Sequence, residues 1–205
     1  MTGLSSVTGG AEELRQKFAR FFEAVTPPVI EAAWEEYDID PWLLPKFAVY
    51  DGVDPMKVTS FPALCSGAST DTNHTVTDIN ADGSIETWPV YSWYVAVVAM
   101  TPYNRETNKW ADPDYDNCIR LMNRLTAIVQ NVLINSPGLL DPDTVSLDRS
   151  SINTTYHDVL PASGAPRKWV SSSIMTMTVK QRAVTWQPKI GTVNQTMVLP
   201  GILTT

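Results

Sequence analysis

The sequence predicts an α+β fold: an antiparallel or mixed β-sheet packed with one long helix and N-terminal helices, with an extended C-terminal arm. Three observations carry that prediction. Residues 112–135 repeat apolar side chains at three- and four-residue steps, as a helix must in order to bury one face. Residues 90–101 are apolar at both parities, the mark of a central strand covered on both sides. Strand-like runs lie on both sides of one well-capped helix, which suggests an α+β layer.

The elements follow in order. Residues 1–10 are small and polar and read as a flexible N-terminal segment. From 11 to 25, Leu14, Phe18, Phe21, Phe22 and Val25 share one helical face, and Glu12 and Glu13 sit at its positive end. Pro27-Pro28 breaks this helix and opens a second, because proline suits a first turn. Val29, Ile30, Ala33, Trp34 and Tyr37 continue the apolar face. Residues 38–62 hold Pro41, Pro45, Pro55 and Pro62 and read as an ordered loop, with a short strand near 47–50. Residues 61–66 are a second short strand. Asp112 caps the long helix, Pro113 occupies its first turn, and Tyr115, Ile119, Met122, Leu125, Val129 and Val132 form its buried stripe. Ser136-Pro137-Gly138 stops it. Residues 145–156 supply a strand or hairpin.

Residues 169–186 read as one long strand that projects beyond the sheet. Trp169, Met175, Met177 and Val179 share one parity, and Ile174, Thr176, Thr178 and Val184 share the other. Residues 187–205 carry one charge, Lys189, and are too polar for a core strand yet too apolar for a solvated tail. They read as an arm that docks on a neighbouring copy or on its own domain. The organisation is a single domain over 11–186 flanked by 1–10 and by the arm.

At 205 residues, 43% hydrophobic and 18% charged, the chain can build a core and does not have a disordered composition. It has no apolar run of about 20 residues, so no membrane-spanning helix is expected, and residues 1–10 lack the pattern of a secretory signal. Cys65 and Cys118 sit in apolar patterns, as core thiols of a reducing compartment would. Charge is unevenly spread: residues 1–158 carry 10 basic and 22 acidic side chains, while 159–205 carry 5 basic and no acidic ones. An acidic body with a basic C-terminal portion favours head-to-tail packing between copies. By charge alone, Arg167, Lys168, Lys180 and Arg182 are the interface candidates. No dense Lys/Arg patch occurs, which speaks against sequence-specific nucleic-acid binding.

One segment resembles a metal loop. Asp78, Asn80, Asp82 and Glu86, with Gly83 and Ile85, follow the opening of an EF-hand. Its twelfth position is Pro89, where a bidentate Glu belongs, and its flanks are strand-like. The favoured reading is a hairpin turning at Asp82-Gly83; were calcium bound, those four residues would be its ligands. His74 and His157 lie in polar, loop-like context and read as surface residues. Asp112, Asp114 and Asp116 are explained by a helix start. No nucleophile elbow, phosphate-cradling loop or dinucleotide fingerprint is present. The expectation is a protein that is not an enzyme, with no catalytic residues and no cofactor. Trp88, Trp110 and Trp186, near element ends, are candidate interface anchors.

The order of elements resembles the tail-terminator (tail-completion) proteins of tailed phages. The resemblance is carried by the N-terminal helix, "SFPALCSG" (60–67), "VYSWYVAVVAM" (90–100), the helix "DPDYDNCIRLMNRLTAIVQNVL" (112–133) and "WVSSSIMTMTVKQRAV" (169–184). It covers roughly residues 11–186. It implies a virion structural protein, assembled in the host bacterial cytoplasm as a homo-hexameric ring. Such a ring caps the tail tube and joins it to the head connector, so the implied partners are other copies, the tail tube protein and a connector or stopper protein. Alternatives are another head–tail connector, neck or tail-tube subunit, or a small calcium-binding module or hydrolase.

Overall fold

The computed structural model describes residues 7–8, 10–70, 74–79, 84–100, 103–104, 109–110, 115–135, 143–162 and 168–186. It is an α+β structure in which two long helices lie on one face of a mixed sheet, as the periodicities predict.

Helix α1 (Ala11–Glu36) is a single element, so the expected break at Pro27-Pro28 does not occur. Lacking N–H groups, these prolines cannot bond the carbonyls of Glu23 and Ala24. Both of those residues are exposed, so water can serve their carbonyls, while Phe22, Thr26 and Ile30 stay buried on the opposite face. Past the cap residue Tyr37, the chain leaves the helix at Asp38, whose φ of 50° places it in the left-handed region. Ile39 N–H then reaches back to Trp34 O at 3.1 Å, closing a Schellman-type end without glycine. The following loop is pinned to α1: Trp34 Nε1–H donates to Leu44 O at 2.9 Å, and Lys46 pairs with Glu31.

Beyond that loop come β2 (Val49–Gly52), a 3₁₀ turn (Pro55–Lys57), β3 (Ala63–Thr70), β4 (His74–Ile79) and the 17-residue β5 (Ser84–Met100). A small hairpin, β6 (Tyr103–Asn104) and β7 (Lys109–Trp110), precedes α2 (Tyr115–Asn135). Then come β8 (Val145–Tyr156), β9 (Leu160–Pro161), β10 (Trp169–Gln181) and β11 (Ala183–Trp186). At the other end of the chain, β1 (Val7–Thr8) lies within the segment expected to be a flexible lead-in, and it pairs with β11. The expected cap at Asp112 and stop at 136–138 lie outside the described residues.

β5 runs through two regions of sheet. Its C-terminal half sits in the order β2–β3–β5–β10–β8, with β9 beside β10; β2 and β3 are parallel and the other pairs antiparallel. Its N-terminal half sits between β4 and β11, with β1 outside β11. The ladder from Val170↔Met100 to Lys180↔Val90 resumes in the same register at Ala183↔Thr87 and ends at Trp186↔Ser84. β10 and β11 therefore act as one long strand interrupted at Arg182, as the run 169–186 predicts, but β11 stays paired with β5 and β1 and does not project beyond the sheet. At about 3.3 Å per residue, β5 would span roughly 56 Å if straight.

Alternation decides the faces. Tyr91, Trp93, Val95, Val97 and Ala99 of β5 meet Met175, Met177 and Val179 of β10 on the face that buries α1 and α2. Phe18 of α1 stacks on Trp93 with ring centroids 5.4 Å apart. Leu121, Met122, Leu125, Val129 and Val132 of α2 complete this core. Burying each large apolar side chain stabilises the fold by about 1.5–3 kcal/mol. The opposite face of β10 reads Val170, Ser172, Ile174, Thr176, Thr178, Lys180 and is partly or fully exposed.

Candidate assembly surfaces

The hydroxyl-rich outer face of the sheet is built by strand alternation. Thr176 of β10 lies between Tyr94 of β5 and Asn153 of β8, and Thr178 lies between Ser92 and Asp148. Ser69 Oγ–H bonds to Ser92, with the two hydroxyl oxygens 2.7 Å apart. Beside them, Tyr94 crosses Gly67 to donate from its hydroxyl to Val53 O at 2.7 Å. That bond, with Asp54 accepting from Met56 N–H at 2.9 Å, fixes the 52–57 loop. The loop presents Val53 (62% exposed) and Met56 (91% exposed) to solvent. An ordered loop that exposes apolar side chains suits a protein contact. Sequence periodicity offered no sign of it, because the loop's order depends on Tyr94, about forty residues away.

β8 forms the opposite edge of the sheet. Between Asn153↔Thr176 and Asp148↔Thr178 its register shifts, so residues 149–152 form a bulge, with Ile152 packed against the core. Ser151 Oγ stands in for a backbone carbonyl there, accepting from Thr178 N–H at 2.8 Å and donating to Asp148 O at 2.6 Å. Bulges of this kind protect an edge from indiscriminate pairing. Tyr156 and Leu160, both more than half exposed, flank the end of this edge.

The four basic candidates do not form one patch among the described residues. Lys180 is exposed on the outer face, and its charge helps hold the Asp148 carboxyl below its usual range, after the bonds from Ser150 and Ser151. Arg182, between β10 and β11, is tied to Glu86 by a 2.8 Å ion pair. Lys168 is half-buried, and its carbonyl accepts from Ala162 N–H. Arg167 lies outside the described residues.

The calcium candidates are placed by a hairpin. Asp78 of β4 is the register partner of Glu86 of β5, and strands flank the connection where an EF-hand has helices. The last described pair is Ile79↔Ile85, and the expected turn at Asp82-Gly83 lies outside the described residues. Asn80 and Asp82 lie outside the described residues. Glu86 is already engaged: Arg182 and then Trp88 Nε1–H, at 3.0 Å, hydrogen-bond its carboxylate and hold it below its ordinary range. Among the described residues no group of three or more His, Cys, Asp or Glu is placed to hold a metal.

His157 is exposed, directly after β8, and its N–H donates to Ser172 O. His74 opens β4 opposite Pro89, in a strand and not in the loop-like setting expected. Cys65 and Cys118 are buried free thiols, both pushed up to about 11 by burial and so unreactive near neutral pH. Of the watched tryptophans, Trp88 is half-buried on Glu86, while Trp110 and Trp186 end β7 and β11.

A cleft of about 560 Å³ opens between α1 and β2. Arg15, Gln16, Ala19, Arg20 and Glu23 form the helix wall, and Ala48, Val49, Tyr50 and Asp51 the strand wall. Arg15 bridges them, donating to Asp51 O at 2.6 Å while paired with Glu12.

No family model matches the chain, and no curated protein matches it in sequence. No described helix is long and apolar enough to cross a membrane.

Proposed function

We propose that this chain is a ring-forming structural subunit of a tailed-phage virion, acting as a tail terminator. It caps the completed tail tube and presents a face to the head connector or stopper protein. The reading starts from the resemblance of residues 11–186, and one structural observation supports it best: the long β5 and β10–β11 ladder, whose two ends lie in different regions of sheet. A subunit in a closed ring needs two different contact surfaces, because its contacts are heterologous. The opposite edges of the five-stranded region supply two such surfaces. The β2 side carries Val53 and Met56, and the β8–β9 side carries Tyr156 and Leu160.

The test is the mass of the purified protein by light scattering over a concentration series, followed by electron microscopy. Six copies in a closed ring support the terminator. Twelve copies move the protein to the connector. A strict monomer at all concentrations, with no ring when tail tubes are added, removes the proposal.

A further inference from the structure

We infer that the cleft between α1 and β2 seats an added β-strand, and that its occupant is residues 192–199 of a neighbouring copy. The inference rests on the proposed ring, since it needs copies side by side.

The cleft has the geometry of strand addition. Four successive residues, Ala48 to Asp51, line it. Successive side chains of a strand point to opposite faces, so a cavity touched by all four faces the strand's edge. β2 pairs with β3 alone among the described residues, and on its other edge Asp51 O accepts from Arg15, a bond that a seated strand would displace. α1 supplies the second wall through residues three and four apart, leaving a trough with backbone donors and acceptors on one side and a helix on the other. Extended peptides bind by joining such edges, with main-chain bonds giving affinity and alternate side chains giving specificity.

The occupant is indicated by composition and by reach. Residues 192–199, Thr-Val-Asn-Gln-Thr-Met-Val-Leu, are rich in β-branched side chains and bounded by Gly191 and Pro200, which is the pattern of a strand. They carry no charge, and the cleft walls balance Arg15 and Arg20 against Glu23 and Asp51, so no charge is left for the occupant to neutralise. The arm leaves β11 at Trp186, opposite Ser84. β2 lies far along the same sheet, with Val49 opposite Ala63 and Ala63 opposite Val98, fourteen positions from Ser84 on β5. Along a straight β5 that separation is roughly 45 Å, so returning to its own cleft would use about fourteen extended residues, and 192–199 would be consumed by the crossing. Residues 192–199 therefore fall short of the chain's own cleft, which leaves a neighbouring copy to supply the occupant.

Disulfide trapping in the full chain tests this, because the native Cys65 and Cys118 are buried. Ala48→Cys is mixed with Gln195→Cys or, in the alternate strand parity, with Thr196→Cys, each variant carrying only one new thiol. A cross-linked dimer formed only in the mixture, and a ladder of higher species from the double variants, are expected. An intramolecular disulfide in the double variants without cross-linking on mixing would overturn exchange between copies. Absence of any disulfide would overturn the docking itself. Light scattering on the same samples separates the two readings: oligomers without cross-links leave the ring standing and remove the arm from this cleft, while monomers without cross-links remove both.

Discussion

The hydroxyls of Thr126 on α2 and Ser173 on β10 lie 2.7 Å apart in the fully buried seam between helix and sheet. Thr126 Oγ also donates to Met122 Sδ at 3.5 Å, so a chain from Ser173 through Thr126 to the sulfur uses each proton once. A satisfied polar pair in an apolar seam fixes the helix against one strand position, because sliding by one residue would strand both hydroxyls.

The losses from removing the two hydroxyls should therefore be coupled. Thr126→Val leaves the buried Ser173 hydroxyl without this partner and is expected to lose about 1–3 kcal/mol, whereas Ser173→Ala leaves Thr126 its bond to Met122 Sδ and should lose less. The double variant should lose less than the sum. Urea unfolding midpoints at unchanged slope give the comparison; strict additivity would show that the two hydroxyls are not coupled.

The seam also marks how far the sequence could be read. Parity in β5 and β10 and periodicity in α2 were legible because each depends on neighbours along the chain. Residues 145–156 were read as a strand or hairpin, and they form β8, though its bulge depends on Ser151 reaching Thr178. The continuity of α1 through Pro27-Pro28 was hidden, because it depends on which carbonyls face solvent. Asp38 at a left-handed φ carries none of glycine's signal for a helix end. The cleft joins residues 15–23 to 48–51 and follows no motif, so only the fold reveals it.

Ser66 Oγ and Trp93 Nε1 are buried with no hydrogen-bond partner among the described residues. The Trp93 ring is secured by stacking on Phe18, whereas the Ser66 hydroxyl is a cost with no visible return. Ser66→Ala is expected to raise stability by about 1 kcal/mol, or roughly 2–4 °C in Tm for a chain of this size. A lowered Tm would mean the hydroxyl is served by ordered water.

Gly52 has no room for a side chain. A Cβ there would meet Cys65 Sγ at 2.3 Å and Leu64 O at 3.0 Å. Gly52→Ala should destabilise by about 1–3 kcal/mol through overpacking. Adding Cys65→Ala should recover part of that loss, since it removes the nearest atom. No recovery in the pair would place the strain on the Leu64 carbonyl.

Calcium is expected to leave Tm unchanged in the wild-type protein. Binding at the 78–86 hairpin would have to draw Glu86 from Arg182, and any ligand held only by the folded state raises stability with its concentration. Melting curves in millimolar calcium and in chelator should overlay. A rise of several degrees with calcium would make the hairpin a metal site.

At acid pH the same reasoning turns on Glu12. Hydrogen bonds from Arg15 and then Gln16 hold its carboxyl down to about 2, from an ordinary value of 4.5. A depressed folded-state pKa stabilises the fold above the ordinary value, and that contribution fades as pH falls toward 2. Glu12→Gln should therefore melt slightly below the wild type at pH 6, and the two curves should converge between about pH 4.5 and 2. The pair is exposed, so the gap at pH 6 should be small and should shrink further in high salt. Melting temperatures of both proteins from pH 2 to 6 decide it. A gap that persists unchanged at pH 2 would assign Glu12 a packing role that does not depend on its charge.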